Sequence, residues 1–145
     1  MFKHILLPTD GAELSAATIQ QGIRFAKSIG AKVTGLCVMP LQHTVFYHEK
    51  ISKEALEEVA QRFKEQAETY LAPIENGAKK AGVACDIVYE RNDSPYDSII
   101  RVAEQKGCDL IMMASHGRKG VEALLLGSET QKVLTHSKIP VLVYR

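Results

Sequence analysis

The residues with the clearest chemical potential lie in one glycine-bearing loop that runs from position 115 to 128. Glycine lets backbone N–H groups approach an anion closely, and the N-terminus of a helix favours phosphate. The loop ends at Gly127-Ser128, where a helix is predicted to begin, and Arg118 and Lys119 add positive charge. This arrangement predicts a phosphate-binding loop.

The same loop also has a purely structural interpretation. Ser128 and Gln131 match a capping box, and residues 121–126 would serve as a buried connector. From spacing alone the two interpretations stand equal, because glycine-rich turns are common. No GxxxxGK[ST] pattern occurs, and no GxGxxG follows the first strand, so a Walker-type ATPase and the usual dinucleotide fold are not expected.

A single carboxylate, Asp10, follows the first apolar run in the segment Thr9-Asp10-Gly11. Aspartate is a strong turn and cap former, and its carboxylate can also accept from the two hydroxyls of a ribose. Taken alone, this segment favours the cap. No second carboxylate is spaced to hold Mg²⁺ beside Asp10, so the sequence indicates no catalytic set.

Five short strands and four helices alternate along the chain. Continuous apolar runs predict strands at 4–8, 32–38, 109–114 and 140–144, and the more alternating run at 83–89 predicts an edge or half-exposed strand. Helices are expected between them: one ends at Gly30, a second has a kink or break at Pro73, a third starts with Ser94 as N-cap and ends at Gly107, and the last starts at the capping box. The order predicts an α/β fold, a parallel sheet with helices on both faces, whose ligands bind beyond the carboxyl ends of the strands.

Composition limits the remaining classes. The chain has 145 residues, 46% hydrophobic and 24% charged, which fits one globular domain over residues 1–145. A net charge of +1 gives no electrostatic case for nucleic acid or an acidic membrane. No apolar run approaches the ~20 residues of a membrane span, and the N-terminal run lacks a cleavage site, so a soluble, cytoplasmic protein is expected. The three cysteines are odd in number and form no CxxC, which favours buried thiols.

These segments together resemble the universal stress protein family over the whole chain. The opening ILLPTDGAELS, the segment DLIMMASHGRKG, the segment ALLLGS and the ending IPVLVYR carry the resemblance. The family pattern is Gly, two residues, Gly, nine residues, Gly and then Ser or Thr. This sequence keeps Gly117, Gly127 and Ser128 and has Ala114 in place of the first glycine.

The resemblance implies an open five-stranded parallel sheet of order 3-2-1-4-5 and, in the ATP-binding branch, a nucleotide across strands one, two and four. ATP is the implied ligand, with ADP or AMP as alternatives and Mg²⁺ accompanying ATP. Asp10 would then hold the ribose, and Gly117, Gly127 and Ser128 the phosphates. The implied binding residues are Pro8, Thr9, Asp10, Val38, Met113, Ala114, Ser115, His116, Gly117, Arg118, Gly127, Ser128 and Glu129.

The resemblance also implies a two-fold homodimer through the last strand, 141–144, an apolar edge without a blocking charge before Arg145. The expected function is a nucleotide-binding regulatory stress-response dimer; the alternative is a nucleotide-free dimeric interaction module, which Ala114 favours. We do not expect an enzyme beyond slow ATP hydrolysis or autophosphorylation. His43 and His48 fit a loop over the nucleotide better than a metal pair, since no further ligand is spaced to complete one.

Overall fold

The protein is described by a computed structural model covering residues 1–41, 52–116 and 126–145. The predictions made for His43, His48, Gly117 and Arg118 lie outside these described residues.

Nine elements alternate between strand and helix in the described chain. They are β1 His4–Thr9, α1 Glu13–Ile29, β2 Lys32–Met39, α2 Lys53–Ala81, β3 Cys85–Arg91, α3 Pro95–Lys106, β4 Leu110–Ala114, α4 Ser128–His136 and β5 Val141–Tyr144. The predicted order of elements is confirmed. Strand ends shift by one or two residues, most in β3, which runs to Arg91 rather than to Tyr89.

The five strands form one parallel sheet in the order β3-β2-β1-β4-β5, as predicted. Strand β1 pairs with β2 along its whole length, from His4 opposite Lys32 to Thr9 opposite Cys37. Its pairing with β4 is much shorter and covers Ile5 opposite Leu110 and Leu6 opposite Ile111. The chain therefore reverses its direction of winding between β1 and β4.

Each face of the sheet carries its own apolar core. On one face, Ile5 and Leu7 of β1 pack with Ile19 and Ile23 of α1 and with Ile74 of α2. On the other face lies a second cluster that unites α3 and α4 with the sheet: Leu6, Leu36, Ile99, Val102, Ile111 and Val133. Alternate residues of one strand point to opposite faces, so β1 supplies both cores.

A kink or a break was expected at Pro73; helix α2 runs through it without interruption, so the break is wrong. Proline removes one backbone N–H and therefore frees the carbonyl one turn earlier. Both Pro73 and Thr69, the residue whose carbonyl is freed, are exposed to water. The flanking Leu71 and Ile74 are buried and hold the helix against the sheet.

Across the described residues, the helices are too short or too polar for any of them to cross a bilayer.

Candidate functional site

The crevice at the carboxyl ends of β1 and β4 is where the fold can accept a ligand. Helix α1 leaves β1 toward one face of the sheet, and α4 packs on the other face. The two strands pair only near their amino ends, so Thr9 and Ala114 stand at the ends of strands that no longer pair. Ligands of open parallel sheets bind at such a reversal of strand order.

The turn after β1 fixes the carboxylate of Asp10. Its Oδ1 accepts a hydrogen bond from the backbone N–H of Ala12 at 3.0 Å and another from Ser15 Oγ at 3.0 Å. Asp10 therefore acts in the local turn, as its sequence alone favoured, although Ala12 and not Asp10 occupies the N-cap position of α1. Ser15 is a residue that sequence reasoning missed; the signal was a hydroxyl one turn into the helix that follows Asp10.

Gly11 gives this turn its shape. Its φ of 77° lies in the left-handed region, which residues with a Cβ rarely adopt. A Cβ at Gly11 would also overlap the ring of Tyr70, which projects from α2. Conformation and space both require glycine beside Asp10.

The end of β4 is buried and closely bonded. Met113, Ala114 and Ser115 are each less than a tenth exposed. The carbonyl oxygen of Ala114 accepts a hydrogen bond from Thr130 Oγ1 at 2.9 Å. Because Ala114 belongs to a strand, its extended backbone suits any residue, and only its methyl group distinguishes it from the glycine of the family pattern.

The two ends of the glycine-bearing loop meet at the crevice. The N–H of Gly127 donates to the carbonyl oxygen of Ser115 at 2.6 Å. A Cβ on Gly127 would stand 2.9 Å from the Cα of His116 and 3.2 Å from its Cβ. The backbone of Gly127 is ordinary, with φ of −59°, so glycine is required here by close approach and not by conformation.

Ser128 is the first residue of α4 and is exposed at its N-terminus. The predicted capping box is wrong, because Gly127 takes the N-cap position and no side chain caps the helix there. Gln131 instead donates from Nε2 to the carbonyl oxygen of Leu126 at 3.0 Å. The N-terminus of α4 thus has no side-chain cap from its N-cap residue, an arrangement that suits an anion.

Glu129 faces helix α3, although the resemblance implied that it flanks the nucleotide. Its Oε2 accepts from the backbone N–H of Tyr96 at 2.9 Å, and its Oε1 accepts from Lys132 Nζ at 3.2 Å. Thr130, which sequence reasoning also missed, ties the same helical turn to β4. Its only signal was a hydroxyl in the first turn of the helix.

The remaining predicted residues lie at the same edge of the sheet. Pro8 and Thr9 end β1, and Val38 lies one residue before the end of β2, half-buried against the core that includes Leu36. His116 follows β4, with its Nδ1 3.1 Å from Ser115 Oγ. Among the described residues, no three His, Cys, Asp or Glu side chains cluster as metal ligands.

One group of perturbed pKa values lies at the opposite end of the sheet, where the strands begin. His4 Nε2 lies 2.7 Å from Thr34 Oγ1, and Thr34 donates to Asp86. Burial lowers the pKa of His4, and burial raises the pKa of the Cys108 thiol to about 11. A thiol with so high a pKa is not nucleophilic at neutral pH, which agrees with the buried thiols expected from the sequence.

Comparison with known proteins places these features in a family. The sequence profile of the universal stress protein family matches residues 1–145. Universal stress protein MJ0531 of Methanocaldococcus jannaschii is 32% identical over the whole of this chain and 83% of its own length.

Solved structures share the fold. The structure of the hypothetical protein MJ0577, whose function was assigned from that structure, is 28% identical, covers 99% of this chain and 95% of its own, and superposes with a TM-score of 0.84. A universal stress protein from Archaeoglobus fulgidus in complex with dAMP is 15% identical, covers 100% of this chain and 98% of its own, and has a TM-score of 0.61.

The profile match spans every described element of the sheet and both sides of the crevice. The chain belongs to the universal stress protein family.

Proposed function

We propose that the protein binds an adenine nucleotide, ATP in the first place, in the crevice between β1 and β4, and acts as a regulatory dimer in the stress response. The observation that carries this proposal is the contact of Gly127 with Ser115 and His116. It sets the N-terminus of α4 against the carboxyl end of β4 at the reversal of strand order.

In this proposal each part of the nucleotide is assigned to named residues. The N–H groups of the first turn of α4 are directed to the phosphates, with the Ser128 hydroxyl beside them. Asp10, oriented by Ala12 and Ser15, accepts from the ribose hydroxyls. Pro8, Thr9 and the backbone at Val38 lie against the ribose and the adenine, while Gly117 and Arg118 complete the phosphate loop.

The family supports an adenine nucleotide as the class of ligand. A relative with the same fold holds dAMP, which presents an adenine, a sugar and one phosphate. The choice of ATP over the monophosphate rests on the sequence of the loop that joins β4 to α4, in which Arg118 and Lys119 supply positive charge for further phosphates. Mg²⁺ would enter with those phosphates, since no three His, Cys, Asp or Glu side chains cluster as metal ligands in the described part of the chain.

The proposed dimer forms through strand β5. Strand β5 lies at the edge of the sheet and has β4 as its neighbour. Leu142 is 38% exposed there, which favours pairing with a second copy. A cytoplasmic location is part of the same proposal.

Calorimetric titration with ATP tests the proposal on the wild type and on Asp10→Ala and Gly117→Val. We expect the wild type to bind and both variants to bind more weakly, with thermal unfolding showing that the variants fold. Wild-type affinity in both variants would refute the assigned site. A wild type that binds neither ATP nor adenosine would favour the nucleotide-free interaction module.

A further inference from the structure

Three consecutive side chains fix the first turn of α4, each to a different part of the fold. Thr130 bonds to the carbonyl of Ala114 in β4, and Gln131 bonds to the carbonyl of Leu126. Glu129 bonds to Tyr96 at the start of α3. Glu129 is therefore the member of this set that joins the proposed phosphate-binding turn to another helix.

The hydrogen bond to Glu129 caps the N-terminus of α3, which has no side-chain cap of its own. Tyr96 is the second residue of α3, after Pro95, so its N–H has no partner within the helix. The N-cap residue Ser94 makes no side-chain hydrogen bond to the helix. The carboxylate of Glu129 reaches that N–H at 2.9 Å, where the positive end of the helix dipole favours it.

The ring of Tyr96 strengthens the same junction. Lys132 Nζ lies 5.5 Å from the centroid of this ring and also donates to Glu129 Oε1. The ring of His136 lies 5.4 Å away between centroids. Residues 129, 132 and 136 all belong to α4, so one side of this helix contacts Tyr96 in the first turn of α3.

The contact between Glu129 and Tyr96 also fixes the position of the negative charge of the Glu129 carboxylate. Glu129 follows Ser128 directly, and a carboxylate turned toward the N-terminus of α4 would repel a phosphate bound there. Its two hydrogen bonds, to Tyr96 and Lys132, hold it at α3.

We propose that Glu129 is a positioning residue: its hydrogen bond to the Tyr96 N–H fixes the direction in which the N-terminus of α4 presents its N–H groups to the phosphates. This inference rests on the proposed nucleotide function. It concerns the phosphates alone, since the adenosine part is assigned to β1 and β2, whereas Glu129 joins α4 to α3.

The test compares Glu129→Gln with Glu129→Ala by calorimetric titration with ATP and with adenosine. Both variants remove the charge, but glutamine keeps an oxygen acceptor for the Tyr96 N–H. Losing one such hydrogen bond is worth about 1 kcal/mol, so ATP should bind roughly fivefold more weakly to Glu129→Ala than to Glu129→Gln. Adenosine should bind both variants equally. Ser94→Ala, at the same helix end, should match the wild type with both ligands.

Each other outcome contradicts the inference in a distinguishable way. Equal ATP affinity in the two variants, with a wild type that binds, would refute the role of Glu129 and leave the proposed function standing. An equal loss for ATP and adenosine in Glu129→Ala would show general destabilisation and no positioning. A wild type that binds neither ligand would refute the proposed function and this inference together.

Discussion

The backbone N–H of Gly127 donates a hydrogen bond of 2.6 Å to the carbonyl oxygen of Ser115. Ser115 in turn donates its own N–H to the carbonyl oxygen of Tyr144 at 2.8 Å. The start of α4, the end of β4 and the end of β5 are thus linked through two backbone bonds. Ser115 thus connects the proposed nucleotide site to β5, the strand of the proposed dimer.

Replacing Gly127 by alanine should damage the site through crowding alone. The new Cβ would meet the backbone of His116 at 2.9 Å, where real Cβ atoms are not found, so α4 must move from β4. We expect a loss of about 1–3 kcal/mol in the free energy of unfolding, the usual cost of overpacking, and at least a tenfold weaker affinity for ATP. Thermal unfolding and ATP titration would measure the two effects.

Gly82→Ala is the matched control for Gly127→Ala. Its φ of 72° makes alanine unfavourable, but no atom lies within 4 Å of the new Cβ. It should lose stability while keeping wild-type affinity for ATP. Weak binding in both variants would mean that stability, and not the contact with His116, governs the affinity.

The methyl group of Ala114 should make a small difference to nucleotide binding. Ala114 is 8% exposed and extended, so glycine would relieve no backbone strain there and would only open space. We expect Ala114→Gly to bind ATP within about threefold of the wild type and Ala114→Val to bind at least tenfold more weakly, since the larger side chain projects from the same strand end. A wild type that does not bind ATP, together with an Ala114→Gly variant that does, would instead establish Ala114 as the residue that closes the site.

The fold was largely predictable because its signals are local and repeated. Continuous apolar runs identified four strands, and a more alternating run identified β3. Two helices end at Gly30 and Gly107 as predicted, with both glycines in the left-handed conformation. The strand order itself came from the family resemblance. Pro73 shows the limit of local reasoning, because burial of Leu71 and Ile74 on either side outweighs the hydrogen bond that proline removes.

The site was less predictable wherever a side chain bonds across the fold. The sequence pattern placed Ser128 at an N-cap, but Gly127, bonded to Ser115, takes that position, and the helix starts one residue earlier than the capping box predicts. Glu129 looks from its position like a neighbour of the phosphates. Its partner, the N–H of Tyr96, lies 33 residues away in the sequence, and no local pattern could reveal it.

The stability of the protein should depend on pH through His4. This residue is 5% exposed; its Nε2 bonds Thr34, and its Nδ1 is buried without a hydrogen-bond partner. Burial, followed by the charge of Lys32, lowers the pKa of His4 below 6.5 in the folded state, although Asp86 and Asp109 oppose the shift. The unfolded chain therefore binds a proton at His4 more readily than the folded protein does.

The direction of the pH dependence follows from this difference in proton binding at His4. Stability from His4 is complete above pH 6.5 and falls as the pH drops below this value, by up to about 1.4 kcal/mol per pH unit until the folded pKa is reached. His4→Gln keeps a hydrogen-bond donor for Thr34 but removes the titrating group. Its unfolding temperature should therefore fall less steeply than that of the wild type between pH 6.5 and 5. Parallel curves for the two proteins would exclude His4 as the cause.

Proline at position 143 should separate the proposed dimer without disturbing the sheet. The carbonyls of Pro140 and Tyr144 accept hydrogen bonds from Ile111 in β4 and from Ser115 directly after it. The backbone groups of every second residue, 140, 142 and 144, therefore face β4. The N–H and C=O of Val143, one residue out of phase, point to the open edge instead. Val143→Pro removes an edge donor and should convert the dimer to a monomer in light scattering after gel filtration. Val143→Thr, which keeps the donor, should remain dimeric. A dimer that survives Val143→Pro would place the interface elsewhere on the surface.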